Sequence, residues 1–153
     1  MRELSEAEIQ EVLRSERVGH LAVCDGDVPY VSPLSFVYTD GVVVFRTMEG
    51  RRIDAIRRHP RVSLSVSRIG TGAADWSSVL IVGDATIVED RSVSSRYVAL
   101  IMAKYRAAYG VMDAMPDWIL DPRALVVLVD PTEISGRAAG DTRPGRVEIP
   151  RRT

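Results

Sequence analysis

Leu4, Ile9, Val12 and Leu13 recur with charged residues between them, and Ser5 is followed three positions later by Glu8, the pattern of a capping box. This spacing predicts a helix over residues 5–15. From Val18 the period changes. Val18, His20, Ala22 and Cys24 alternate with Gly19, Leu21 and Val23, and the run ends at Asp25-Gly26-Asp27, so a strand and a hairpin turn are expected. The next strand, Val28 to Tyr38, contains Pro29 and Pro33. Neither can donate to a sheet ladder, which implies an edge, a bulge or a ligand-facing stretch. Thr39-Asp40-Gly41 turns the chain into Val42-Val43-Val44-Phe45-Arg46-Thr47, an almost unbroken run of β-formers.

The composition then flips at Gly50-Arg51-Arg52. Ile53 and Ile56 share a face and Pro60 stops the segment, as expected of a short amphipathic helix with a cationic first turn. Val62, Leu64 and Val66 alternate with Ser63, Ser65 and Ser67, giving a strand with one buried face. After a Gly-rich loop, Trp76 to Val88 reads as a long strand that bends at Gly83. Val98, Ile101, Met102, Tyr105 and Tyr109 lie at helical spacing within Ser92–Tyr109, with Gly110 as the C-cap. Pro116 and Pro122 bracket a loop holding Trp118, and Ala124 to Val129 forms the last strand. Six strands with three helices do not alternate as in a doubly wound fold. A mainly β architecture is expected, a small antiparallel barrel with flanking helices. One domain over residues 1–136 and a basic, flexible tail over 137–153 complete the expectation.

Charge and composition narrow the function. Twenty Lys plus Arg against twenty-one Asp plus Glu give a net charge of −1, which argues against a general nucleic-acid binder. The single Cys24 forms no internal disulfide, and no apolar run approaches the ~20 residues of a membrane helix, so a cytoplasmic protein is expected. Cys24 reads as a small core residue, His20 as a packed strand histidine and His59 as a helix cap; no metal site is expected. Gly-x-Ser-x-Gly, Gly-x-Gly-x-x-Gly and Walker patterns are absent. The positive signal is the strand-turn-helix unit from Phe45 to Pro60. A helix start with unpaired amides, flanked by the Arg51 and Arg52 guanidiniums, suits a phosphate, although adjacent arginines also suit a solvated helix face.

Phe45-Arg46-Thr47-x-x-Gly50-Arg51-Arg52, followed by His59-Pro60-Arg61-Val62-Ser63-Leu64, resembles the phosphate-binding core of the pyridoxamine 5′-phosphate oxidase-like, FMN-binding split-barrel family. Pro29-Tyr30-Val31-Ser32-Pro33-Leu34, Ser78-Val79-x-x-x-Gly83-x-Ala85 and Val127-x-Val129-x-Pro131-x-x-Ile134-x-Gly136 fall in the matching order. The resemblance implies a six-stranded antiparallel split β-barrel, a homodimer with two flavins in grooves between the subunits. Arg51 and Arg52 would bind the FMN phosphate, and Phe45, Arg46 and Thr47 would line the groove. Ser32, Pro33, Leu34 and Ser35 would face the isoalloxazine edge, Ser78 would face the flavin from the fifth strand, and Trp118 is a candidate groove cover or a packing residue. The implied activity is an FMN-dependent oxidoreductase working between a reduced nicotinamide and a small acceptor, its chemistry borne by the cofactor and not by a catalytic side chain. Arg46 stands where many small relatives carry a histidine or a ring. No histidine follows His59, so the substrate-binding arginine-histidine pair of true vitamin B6 oxidases is absent. The alternatives are a reductase using the deazaflavin F420 and a non-catalytic flavin or haem carrier.

Overall fold

The computed structural model describes residues 1–72, 74–109 and 121–140. The elements run β1 (Arg2–Glu3), α1 (Glu6–Ser15), β2 (Val18–Asp25), β3 (Val28–Thr39), β4 (Val42–Thr47), α2 (Arg51–Arg58), β5 (Arg61–Ile69), β6 (Trp76–Val88), α3 (Arg91–Tyr109) and β7 (Leu125–Ala139). Strand order is β1-β7-β4-β3-β2-β5-β6, and a further β6–β7 pairing closes the six long strands into an antiparallel barrel. The expected split barrel is therefore the observed one, with the two-residue β1 added outside β7.

Alternation decides which residues fill it. Val62, Leu64 and Val66 of β5 point inward with Leu21 and Val23 of β2, Phe36 of β3 and Phe45 of β4. The same parity corrects two expectations on β2. With Leu21 and Val23 inside, His20 and Cys24 must face outward, and both are exposed. The capping box of α1 forms as read, with Ser5 N–H donating to Glu8 Oε2 at 2.8 Å, and Val12 and Leu13 are buried against the barrel core. Arg68 of β5 ties this helix down through Glu11 and Glu16 at 2.6 and 2.8 Å. Asp40 and Gly41 both take positive φ, 49° and 77°, as a two-residue hairpin turn requires.

β6 and β7 slip register at Val82/Gly83, where Thr132 is the extra residue. A Cβ on Gly83 would lie 2.4 Å from the Asp130 carbonyl oxygen, so the bend expected at Gly83 is a close approach of β7 backbone. The last strand, expected to end at Val129, continues to Ala139 and pairs there with Trp76. Residues 137–139 thus belong to the barrel, not to the tail. Gly110, Pro116, Trp118 and the tail beyond residue 140 lie outside the described residues.

α3 covers the outer face of β3, β4 and β7, where Ile101 and Tyr105 pack on Val37, Val44 and Val126. Lys104, the chain's single lysine, pins this helix in place. Its Nζ donates to the carbonyls of Glu16 (2.7 Å), Phe36 (3.0 Å) and Leu13 (3.5 Å) and stands 4.3 Å from the Phe36 ring centroid. Burial pushes the ammonium down from 10.5 to about 8, with Glu16 opposing. Lys104→Met is expected to leave these carbonyls short of a donor and to cost about 1–3 kcal/mol in urea unfolding. An unchanged midpoint would show that the clamp contributes nothing. No helix among the described residues is long and apolar enough to cross a membrane.

Candidate functional site

The site begins with a strand that changes partner. β3 pairs with β2 from Val28 to Ser35, but with β4 only from Phe36 to Thr39, so its first half has one open edge. Phe36 N–H donates towards β2, to Arg17 O. Alternation therefore turns the backbone of Pro29, Val31, Pro33 and Ser35 towards the open edge. The two prolines occupy positions where no neighbouring strand needs a donor, which resolves the irregularity read from the sequence.

α2 lies across from this edge. Its buried face, Ile53, Ala55 and Ile56, packs into the core, and its N-cap Gly50 supplies no side chain to the first amides. Arg52 reaches from α2 to the β3 edge. Its Nε and Nη2 donate to Ser32 Oγ at 3.1 and 2.7 Å, Nη2 also to Pro33 O at 3.0 Å, and Nη1 to Thr47 Oγ1 at 3.1 Å. Four of its five N–H groups are then engaged, fixing the guanidinium and leaving one Nη1 donor. Pro33, Leu34, Ser35, Arg46, Thr47 and Arg52, with Met48, line a cavity of about 250 Å³. Met48 was not anticipated, and nothing in its local sequence signals the role.

Arg46 lines the same cavity. Its Nη2 donates to Asp121 O at 2.8 Å, while its buried Nε has no hydrogen-bond partner among the described residues. Burial lowers the guanidinium pKa of both Arg46 and Arg52, opposed by Asp121 and by Tyr30 respectively. Two partly desolvated cations lining one cavity suit an anionic ligand.

The other expected residues fall elsewhere. Phe45 does not line the cavity with its side chain, because β4's parity turns the ring fully into the barrel core; it supports Arg52 from beneath, 6.0 Å from the guanidinium carbon. Ser32 acts by holding Arg52. Arg51 makes an ion pair with Asp25 at 2.6 Å and stacks over Tyr30 at 4.3 Å, and Arg58 takes the other Asp25 oxygen at 2.6 Å. Ser78 lies on β6, separated from β3 by β2 and β5 along the sheet, and Trp118 is outside the described residues.

Arg58, then Arg51, holds the Asp25 carboxyl below its ordinary 3.8. A carboxylate lowered in the folded state stabilises the fold above its unfolded pKa and loses that contribution as pH falls through the folded value. Asp25→Asn is therefore expected to show a shallower loss of melting temperature than the parent below about pH 4. Parallel acid profiles would contradict this.

The family model described as pyridoxamine 5′-phosphate oxidase matches residues 5–138. The chain belongs to the pyridoxamine 5′-phosphate oxidase family. An uncharacterized protein of Rhizobium meliloti is 27% identical over 144 residues, covering 91% of this chain and 85% of the relative. Among solved structures, an FAD-binding protein of Mesorhizobium loti is 28% identical with a TM-score of 0.73, covering 91% of this chain and 98% of its own. The FAD-binding protein of Mycobacterium smegmatis, at 22% identity and a TM-score of 0.64 over 91% and 98% of the two chains, shares the fold. The family assignment covers nearly the whole barrel, including the cavity at the β3 edge.

Proposed function

We propose that this member of the pyridoxamine 5′-phosphate oxidase family is a flavin-dependent oxidoreductase that holds FMN at the open edge of β3. The observation that carries the reading is Arg52, immobilised between Ser32, Pro33 and Thr47 beside the uncapped start of α2. A phosphate placed there would meet a guanidinium already oriented, backbone amides and the positive end of a helix dipole. The residues fit the cofactor in a second respect. The buried, unpartnered Arg46 Nε is a donor whose desolvation is offset once a ring or ribityl oxygen accepts from it.

Flavin bound here supplies hydride and electron transfer, with a reduced nicotinamide as the proposed donor and a small molecule as the acceptor. The chain's own contribution is positioning. Arg52 and Thr47 hold the phosphate end, the open β3 edge offers the Pro33 and Ser35 backbone to the ring edge, and Arg46 places a fixed positive charge in the wall.

A second copy of the chain completes the groove in this reading. The single-chain cavity of about 250 Å³ is smaller than the ~300–1,000 Å³ usual for ligand sites. Among the described residues the outer face of β3-β2-β5-β6 carries no helix, and its registered row Pro33, His20, Ser65, Leu80 has no charged residue. Val18, Val31 and Leu80 are 47%, 58% and 43% exposed on this face, as an unpaired dimer surface would be. Ser78 sits on the same face, so it would reach a flavin held mainly by the other copy.

A second reading, binding of FAD or F420, is favoured by the two guanidiniums of Arg46 and Arg52 in one cavity, more cation than a single phosphate requires. FAD is also the ligand in the name of the Mesorhizobium loti relative. The absorption spectrum of the purified protein, mass identification of whatever denaturation releases, and titration with FMN, FAD and F420 test both. A bound or titratable FMN is the expected result. Binding of FAD or F420 without FMN would select the second reading, and silence with all three would overturn the function.

A further inference from the structure

A second concavity lies between the late part of β7 and the first part of β6. It encloses about 500 Å³ and is lined by Trp76, Ser78, Leu80, Glu133, Ser135 and Arg137 among others. The pairing Ser78↔Arg137 and Leu80↔Ser135 sets these side chains on one outward face, with Trp76 diagonal to Arg137. Arg137 is exposed and makes no hydrogen bond or ion pair among the described residues, although Glu3 of β1 stands opposite it in register. Glu133 lies four residues away along β7, about 13 Å at strand rise. The concavity thus has Arg137 flanked by the Trp76 indole on one side and Leu80 on the other, with the Glu133 carboxylate beyond Leu80.

We propose that this concavity binds a small aromatic anion, with its acidic group on Arg137 and its ring against the Trp76 indole beside it, on the side away from Glu133. The cation selects the charge, since a guanidinium with free N–H groups forms charge-assisted bonds with carboxylate, sulfonate or phosphate oxygens. Glu133 sets the orientation, because an anion at that end meets a like charge. The volume suits a one- or two-ring ligand. Because Ser78 is common to this concavity and to the flavin groove completed by a second copy, the ligand would lie beside that flavin as its redox partner; that role, not the binding, rests on the proposed function.

The test uses anilinonaphthalene sulfonate and its uncharged congener phenylnaphthylamine, titrated into the purified full chain and followed by fluorescence, with and without added FMN. The parent is expected to bind the sulfonate more tightly than the congener. Arg137→Gln should weaken the sulfonate about 10-fold or more and leave the congener unchanged, whereas Arg91→Gln, a surface change elsewhere, should alter neither. Equal affinity of the parent for both probes, or sulfonate affinity in Arg137→Gln within about twofold of the parent's, would overturn the proposal. Arg137-dependent sulfonate binding in a protein that takes up no flavin would uphold the site and overturn the flavin reading alone.

Discussion

Arg52→Ala is expected to weaken FMN binding about 100-fold or more while leaving the far-ultraviolet circular dichroism unchanged. A charge-assisted hydrogen bond contributes about 1.5–3 kcal/mol, and loss of the one from the free Nη1 donor, together with the guanidinium charge beside the phosphate, reaches the ~2.8 kcal/mol that corresponds to 100-fold. The fold should survive because the groups released, Ser32 Oγ, Thr47 Oγ1 and Pro33 O, lie at the open edge, where water can replace the guanidinium. Arg51→Ala should cost much less, about tenfold or under, since Arg51 must first leave its 2.6 Å pairing with Asp25. Arg52→Lys should restore only part of the affinity, because an ammonium cannot span Ser32, Thr47 and a ligand as a planar fork does. Fluorescence titration of free flavin measures all three. Undiminished affinity in Arg52→Ala would remove the phosphate site from α2.

Phe45→Ala is expected to lower stability by about 3–5 kcal/mol, a large share of the ~5–15 kcal/mol available to a domain of this kind. The ring is fully buried among Phe36, Ile53 and the other side chains that fill the barrel, and α2 and Arg52 rest above it. Removal leaves a cavity where β4 hands over to α2. Phe45→Leu fills most of that volume and should keep both the fold and the flavin affinity. Denaturant midpoints and flavin titration of the two variants check this. A folded Phe45→Leu protein that had lost flavin would show that the ring serves the cofactor directly.

These two residues illustrate what the chain's pattern reveals and what it hides. Where one face of a strand meets solvent, the alternation is legible: Val62, Leu64 and Val66 against three serines gives β5 its inward face directly. The capping box of Ser5 and Glu8 and the bend at Gly83 are likewise local signals with local causes. β4 offers no such contrast. Val43 and Phe45 enter the barrel while Val44 lies under α3, so both faces are apolar and the parity of Phe45 cannot be read from the run. On β2 the outward residues His20, Ala22 and Cys24 look like core because the uncovered face they occupy is itself weakly polar.

The length of β7 was hidden by Pro131, Thr132 and Glu133, which look like a strand end. They are a bulge opposite Gly83 that bends the strand and lets it continue. Arg51 and Arg52 are adjacent and chemically identical, yet they diverge. The difference comes from Asp25 and Ser32, 26 and 20 residues away, partners that only the closed barrel brings to α2. The family motif therefore located the cationic turn, and the tertiary structure distinguished the arginine on the cavity wall from the one engaged elsewhere.

In the proposed assembly, two copies of this chain share each flavin groove. Sedimentation velocity of the protein mixed with FMN, followed at the visible absorbance of the flavin, tests it most directly. The expected result is flavin travelling with a dimer at one per chain, and its loss from the boundary in Arg52→Ala. Flavin left unsedimented in the presence of folded parent protein, or carried by a monomer, would contradict a flavin site shared by two copies.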